Sequence, residues 1–167
     1  MHESVKLEEA KYFLGQMAKE ELNPEVFKHN LSAFLSSARS ILQYSLEEAE
    51  NKANGKAWYD AHMNGNQLLK YFKEKRNVSI HTEPVKPRRH ITFTKTIGPS
   101  SSFRIIGEKS EYKSPPKDTN AESEHTAITH NFVDWKGSED VLTLCRRYLG
   151  DLEAFIIDGI AQGFISG

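Results

Sequence analysis

Cysteine is almost absent from this 167-residue chain, which contains only Cys145. A single cysteine excludes an intramolecular disulfide framework and any zinc site built on several cysteines. Long apolar runs are lacking too, since nothing approaches the roughly 18 to 20 apolar residues of a membrane-spanning helix. The first ten residues carry charges where a signal peptide has an apolar segment. We therefore expect a cytoplasmic protein with no membrane partner, in which Cys145 stays reduced.

A strong net charge is also missing, because 22 basic residues nearly balance 23 acidic ones. The resulting charge of -1 excludes a polybasic coat for nucleic acid and an acidic tail protein. The balance is uneven along the chain, since residues 82–109 hold six basic and two acidic residues. The middle of the chain is therefore its basic part.

Apolar residues in the first half of the chain recur with the 3.6-residue period of amphipathic helices. A first helix is predicted from an N-cap at Ser4. A second is predicted to start at Asn23-Pro24, because asparagine is a good cap and proline fits the first helical position. Asn54-Gly55 is the expected end of this second helix.

Two further helices are predicted from the same period. The third should begin near Ala57 and end near His81, before Pro84, with a kink or short break around Gly65. The last should open at Ser138, which two acidic residues follow in the first turn.

Residues 88–135 change to the two-residue period of β-strands. Between 91 and 97, isoleucine and phenylalanine alternate with threonine, and a hairpin loop over 98–102 precedes a second strand. A third strand is predicted over 127–135. Residues 109–124 contain two prolines and many charges, so they are predicted to form a mobile loop.

The predicted fold is mainly α. It is an up-and-down four-helix bundle with a small antiparallel β insertion between the third and fourth helices. We expect one domain over 1–167, with the insertion at 88–135 packed as a two- or three-stranded sheet against the bundle.

The sequence Arg76-Asn77-Val78-Ser79-Ile80-His81 lies at the predicted end of the third helix. It resembles the R-polar-x-x-x-H signature of HEPN domains, which are compact helical bundles that carry this motif late in a helix. Residues 30–40 of the second helix and the approach over 69–75 also fit. The resemblance covers about residues 4–81 and, more weakly, the last helix, and it leaves the β insertion outside the common core.

The resemblance implies a metal-independent endoribonuclease of toxin or defence type, with Arg76, Asn77 and His81 as catalytic residues and no metal or cofactor. In the resembling family, two copies face each other across a twofold axis to form one site. A homodimer that acts on RNA is therefore implied here, and an antitoxin protein is the further partner that such a toxin would have.

The residue types suit this chemistry. Histidine has an unperturbed pKa near ~6.5 and transfers protons in either direction, while arginine stays charged and offers a planar fork to phosphate oxygens. His81 is at a helix C-terminus, whose partial negative charge favours the imidazolium form. Asn77 is four residues before His81, so both lie on one helical face, where the amide would orient the imidazole or contact phosphate.

Lys86, Arg88 and Arg89 follow the motif directly and are candidate substrate-binding residues that would guide a phosphate backbone. They fit equally well as charges on an edge strand that prevent further sheet pairing. The sequence leaves both interpretations open.

A non-catalytic interpretation also fits the motif. Arg76 would then pair with Glu74 or Glu83, and the chain would be a helical module that binds a protein, a nucleotide or RNA. Arg39 in the second helix fits a buried ion pair or a surface position. Trp58 and its aromatic neighbours fit a helical core stripe better than a platform for stacking bases.

Overall fold

A computed structural model describes the backbone of residues 2–81, 87–97, 101–107 and 121–167. Side chains are described for these residues except 77–81, 93–97, 101–107 and 121–126. The chain divides into two compact units, one formed by Met1–Val85 with Leu142–Gly167 and the other by Lys86–Val141.

The fold is mainly α with an antiparallel sheet, as the sequence predicts. Its helices and strands are α1 His2–Lys19, α2 Pro24–Ala49, α3 Gly55–Gly65, α4 Gln67–His81, β1 Arg88–Ile97, β2 Ser101–Gly107, β3 Ala121–Asn131 and α5 Val141–Ala161. All helices belong to the first unit except for the first residue of α5, and the strands form the second.

The start of α2 is confirmed. Pro24 is its first residue, and the Asn23 side chain accepts a hydrogen bond from the Val26 amide at 3.3 Å. The predicted end at Asn54-Gly55 is wrong, because α2 ends at Ala49 and these residues begin α3 instead. Asn54 has a φ of 63°, and the Gly55 backbone lies directly against that of Ala49, where a Cβ would overlap. This tight turn needs glycine.

The predicted break in the third helix is confirmed, since α3 ends at Gly65 and α4 begins at Gln67. Asn66 lies between them and caps α4, because its Oδ1 accepts hydrogen bonds from the amides of Leu68 and Leu69 at 2.8 and 3.0 Å. Its Nδ2 donates to Asp151 Oδ2 at 2.8 Å. One side chain thus starts the helix that carries the HEPN-like motif and ties it to α5.

Replacing this cap should destabilise the protein. We expect Asn66→Ala to lower the free energy of unfolding by about 1 to 2 kcal/mol, because the orphaned helix amides lose their acceptor and Asp151 loses a donor. Urea denaturation measures the change. Asn64→Ala is the matched control, since Asn64 is exposed two residues earlier. Equal stability of the two variants would contradict the capping role.

Three aromatic rings hold α2, α4 and α5 together. Phe72 stacks on Tyr148 with ring centroids 4.3 Å apart and planes within 6°, and Phe34 meets both rings edge-on. All three side chains are at most 1% exposed. Trp58 and Tyr59 of α3 are 7% and 2% exposed, which confirms the prediction that they belong to the core.

The strands form an antiparallel sheet in the order β2-β1-β3. Two predicted boundaries are wrong, since residues 121–124 of the expected loop begin β3, and β3 ends at Asn131 rather than at 135. The reason is the ten-residue length of β1, which offers partners such as Lys95 for Glu124. β2 likewise begins at Ser101, inside the predicted hairpin loop. Residues 109–120 of the expected loop lie outside the described residues.

The last helix begins three residues later than predicted. Ser138 precedes a non-helical segment in which Trp135 Nε1 donates to Glu139 Oε2 at 3.0 Å, and α5 starts at Val141. That contact holds Glu139 outside the helix, so the two acidic residues after Ser138 precede α5 and do not form its first turn. Cys145 is fully buried on α5, which confirms its core position.

Candidate active site

All three residues of the HEPN-like motif lie in α4, and His81 is its last residue, as predicted for the helix end. Asn77 and His81 are one helical turn apart, so their Cα atoms are separated by about 6 Å along the axis. Their side chains are outside the described part of the structure. Arg76, the third residue of the motif, is described.

Arg76 continues the inward stripe of α4. It follows Leu69 and Phe72 at helical spacings of seven and four residues, and each of these two side chains is 1% exposed. Arg76 itself is half-buried, and its Nε is buried without a hydrogen-bond partner. The stacked rings of Phe72 and Tyr148 lie one turn earlier and hold this part of α4 in place. The Nε end of the Arg76 guanidinium is therefore held against the packed interior.

The local ion-pair interpretation of Arg76 loses one of its two partners. Glu74 is exposed, and no ion pair in the described residues joins it to Arg76. Glu83, the other proposed partner, lies outside the described residues. Burying a polar nitrogen without a partner costs free energy, so the position of Arg76 Nε calls for an explanation, of which a bound anion is one.

The candidate substrate-binding residues belong to the second unit. Lys86 lies outside the described residues. Arg88 is exposed and Arg89 is half-buried, and as neighbours on β1 they point to opposite faces of the sheet. Arg89 is paired in register with His130, which is 4% exposed. Of the two candidates that the structure describes, Arg88 thus lies on an exposed surface and Arg89 does not.

The pairing of β1 bears on both interpretations of these arginines. β1 is the central strand, yet its pairing with β2 begins only at Ile91. Among the described residues, Arg88 and Arg89 therefore pair with β3 alone and extend past the end of β2. Charges at such a one-sided position suit either of the two roles.

Arg39 forms a polar cluster that the sequence did not reveal. It is half-buried with its Nη1 enclosed and unpartnered, and the described residues provide no ion pair for it. Burial raises the pKa values of Tyr59 and Tyr148, and the nearby Arg39 charge opposes both rises. These residues come from α2, α3 and α5, so no local sequence pattern links them.

A second polar network joins α3 to α5. Asp158 Oδ2 accepts hydrogen bonds from Trp58 Nε1 at 2.6 Å and from Gln162 Nε2 at 2.8 Å, and lies 2.9 Å from His62 Nε2. The Trp58 hydrogen bond, followed by those of Gln162 and His62, holds the pKa of Asp158 below its usual value. His62 and Asp158 are 96 residues apart in the chain, so no local motif signals this contact.

This network should make stability depend on acid pH. Because the folded-state pKa of Asp158 is lowered, its contribution is present above the unfolded pKa of ~3.9 and is lost as pH falls through the folded value. We expect Asp158→Asn to cost about 1 kcal/mol at pH 7, given the partial exposure, and less at pH 3. Urea denaturation at both pH values measures this, with Asp60→Asn as the surface control. A cost that stays constant with pH would contradict the assignment.

The described residues contain neither a metal-ligand cluster nor a membrane-spanning helix. No group of three or more histidine, cysteine, aspartate or glutamate side chains is arranged there to hold a metal ion. Among those residues, too, no helix has the length and apolar character needed to cross a membrane.

No protein-family model, curated protein or solved structure matches this chain. The HEPN resemblance therefore depends on the motif and on its setting in the helices. The setting consists of the capped start of α4, its buried stripe through Arg76, and His81 at its end.

Proposed function

We propose that this chain is a HEPN-like metal-independent endoribonuclease whose active site is composed from two copies. Its bundle would consist of α1, α2, α5 and a broken third helix formed by α3 and α4. The observation that carries the proposal is the state of Arg76, which lies on the inward stripe of α4 with Nε buried and unpartnered, five residues before His81.

Arg76 would supply charge to the reacting phosphate. The guanidinium stays protonated at every working pH, and its fork matches two phosphate oxygens. A charge held against a packed interior acts more strongly on a bound anion than one in bulk water, because less solvent screens it. No ion pair among the described residues neutralises this charge.

His81 would move the protons. As a neutral imidazole it accepts the 2′-hydroxyl proton while the 2′ oxygen bonds to phosphorus. The bond from phosphorus to the 5′ oxygen then breaks, and an imidazolium gives its proton to that leaving oxygen. The products are a 2′,3′-cyclic phosphate and a 5′-hydroxyl. Asn77, one turn earlier on the same helical face, would orient the imidazole.

Two protonation states are needed at once, and one chain has one His81. A twofold pair of motifs supplies a base from one copy and an acid from the other, together with two arginines. We therefore propose a homodimer as the active species. In the second unit, Lys86, Arg88 and Arg89 would bind phosphates of an RNA backbone. An antitoxin protein would be a further partner.

Incubating the purified protein with end-labelled single-stranded RNAs in EDTA tests this function. We expect cleavage that persists in EDTA and leaves 2′,3′-cyclic phosphate ends, which are recognised because they resist phosphatase until acid opens the ring. Failure to cleave any RNA of a varied panel would reject the enzyme. RNA or nucleotide binding without cleavage would instead favour the alternative, a non-catalytic helical binding module.

A further inference from the structure

Helix α4 differs from the other helices in its charge. It carries four basic residues, Lys70, Lys73, Lys75 and Arg76, against one acidic residue, Glu74. Lysine and arginine equal aspartate and glutamate in number in α1 and in α3, and they are outnumbered in α2 and in α5. Among the helices of the described residues, the one that carries the HEPN-like motif is therefore alone in having a net positive charge.

Ion pairs distinguish α4 in the same way. Most lysines that precede it in the first unit lie 2.7 to 3.3 Å from a carboxylate oxygen, namely Lys6, Lys11, Lys28, Lys52 and Lys56. Lys19, at the end of α1, is the exception. Within the described part of the chain, Lys70 and Lys73 form no ion pair, so no carboxylate there neutralises their charges.

Lys70, Lys73 and Arg76 form one row on α4, because residues three apart are neighbours on a helix surface. Their Cα atoms follow one another at about 4.5 Å along the helix axis. Lys70 is exposed and Lys73 is half-buried, while Arg76 ends the row with its Nε against the packed interior. Lys73 is also four residues before Asn77, so it adjoins two residues of the motif. The row thus leads from the surface to the candidate site.

We propose that this row binds the phosphate backbone of single-stranded RNA and leads it to Arg76. The inference rests on the proposed ribonuclease function and adds the path that the substrate takes outside the reacting phosphate. Lysine is a point charge on a flexible stem, which suits phosphates whose positions vary along a single strand. Because phosphate contacts carry no sequence information, affinity along the row should vary little with base sequence.

The position of the row favours RNA over an acidic segment of a protein. Both would match the charges of Lys70 and Lys73. The row ends, however, at the residue proposed to hold the scissile phosphate, so one RNA strand can occupy the row and the site together. In the proposed dimer, twofold symmetry adds a second row on the opposite side of the shared site. The strand would then be bound on both sides of the bond that is cleaved.

Salt-dependent RNA binding tests the proposal, with a labelled single-stranded RNA and the full chain carrying His81→Ala to prevent cleavage. Lys70→Gln with Lys73→Gln should raise the dissociation constant by about tenfold or more. It should also lower the slope of log affinity against log salt by about 2 to 3, because two copies lose up to four phosphate contacts worth ~0.7 each. Glutamine keeps the helix propensity close to that of lysine.

Lys75→Gln is the matched control. Lys75 belongs to the same helix but is about 160° around it from Lys73, with Nζ 5.5 Å from the Tyr71 ring. Its variant should keep the affinity and the salt slope of the parent. Equal salt slopes in the double variant and in this control would overturn the proposal. Loss of polyglutamate binding but not of RNA binding in the double variant would also overturn it, and would assign the row to an acidic protein.

Glu74 provides a test in the opposite direction. It is exposed, follows Lys73 directly and is one turn after Lys70, so its negative charge lies beside the row. We expect Glu74→Gln to tighten RNA binding by about twofold or more, because a charge that repels phosphate is removed. A variant that had merely lost structure would not bind more tightly. Unchanged or weaker binding would contradict phosphate contacts along the row.

Cleavage kinetics separate this inference from the ribonuclease proposal. With His81 intact, Lys70→Gln with Lys73→Gln should need about tenfold more RNA for a half-maximal single-turnover rate, while the maximal rate changes by less than about threefold. Cleavage with an unchanged dependence on RNA concentration would reject the row and leave the enzyme standing. RNA binding that depends on the row, without cleavage by the wild type, would support the row and reject the enzyme.

Discussion

His81→Ala should lower the rate of RNA cleavage by about 100-fold or more, because general acid-base catalysis contributes typically ~10² to 10⁴. In a composite site the substitution removes the base and the acid together, so the loss of rate should lie towards the ~10⁴-fold end of this range. Single-turnover cleavage of a labelled RNA in EDTA measures it. A full cleavage rate in a variant with a lowered melting temperature would show that His81 is only structural.

Arg76→Ala belongs to the same test and should cost a similar factor, since the phosphorane loses its charge partner. Arg76→Lys should restore activity only in part, because lysine lacks the bidentate fork. Lys75→Ala is the matched control: Lys75 is the adjacent cation of α4 and lies 5.5 Å from the Tyr71 ring. If Lys75→Ala loses as much activity as Arg76→Ala, general positive charge rather than the motif is responsible.

Phe72→Ala should have the largest effect on stability, a loss of about 3 to 5 kcal/mol in the free energy of unfolding. The ring is 1% exposed, stacks on Tyr148 and meets Phe34 edge-on, so its removal opens a cavity where three helices join. Urea denaturation gives the value. A loss below about 1 kcal/mol would contradict the central packing role.

Tyr71→Ala is the control for this experiment, because Tyr71 is the neighbouring aromatic residue but is only half-buried. Phe72→Leu should recover much of the stability, since leucine fills most of the volume without the stacking. Because Arg76 is one turn after Phe72, the alanine variant should also cleave RNA more slowly under conditions where it remains folded.

Local signals predicted some helix boundaries and missed others: α1 begins at His2 and not after a cap at Ser4, and α2 ends at Ala49. The start of α2 was predicted from the asparagine cap and the proline that follows it, and the break after α3 was predicted from Gly65. The buried faces followed from periodicity, which placed Trp58, Tyr59 and Cys145 correctly in the core. Such features depend on residues that are close together in the chain, so they can be predicted from a single sequence.

Features that depend on distant partners were not predictable. Residues 121–124 have a loop-like composition, yet β1 provides pairing partners for them, and pairing outweighs composition. The Arg39 cluster and the contacts of Asp158 with Trp58 and His62 join different helices, without any local motif. For the candidate site, the sequence placed His81 at the end of a helix, but it did not indicate that Arg76 lies on the buried stripe.

The most direct test of a ribonuclease site shared by two copies is subunit mixing. Wild-type and His81→Ala chains are refolded together in equal amounts, and cleavage in EDTA is compared with the same total concentration of wild type. If every site needs His81 from both copies, random pairing leaves about one quarter of the activity, because only wild-type pairs are active. About one half of the activity would show that each chain carries its own site, and would contradict the composite site.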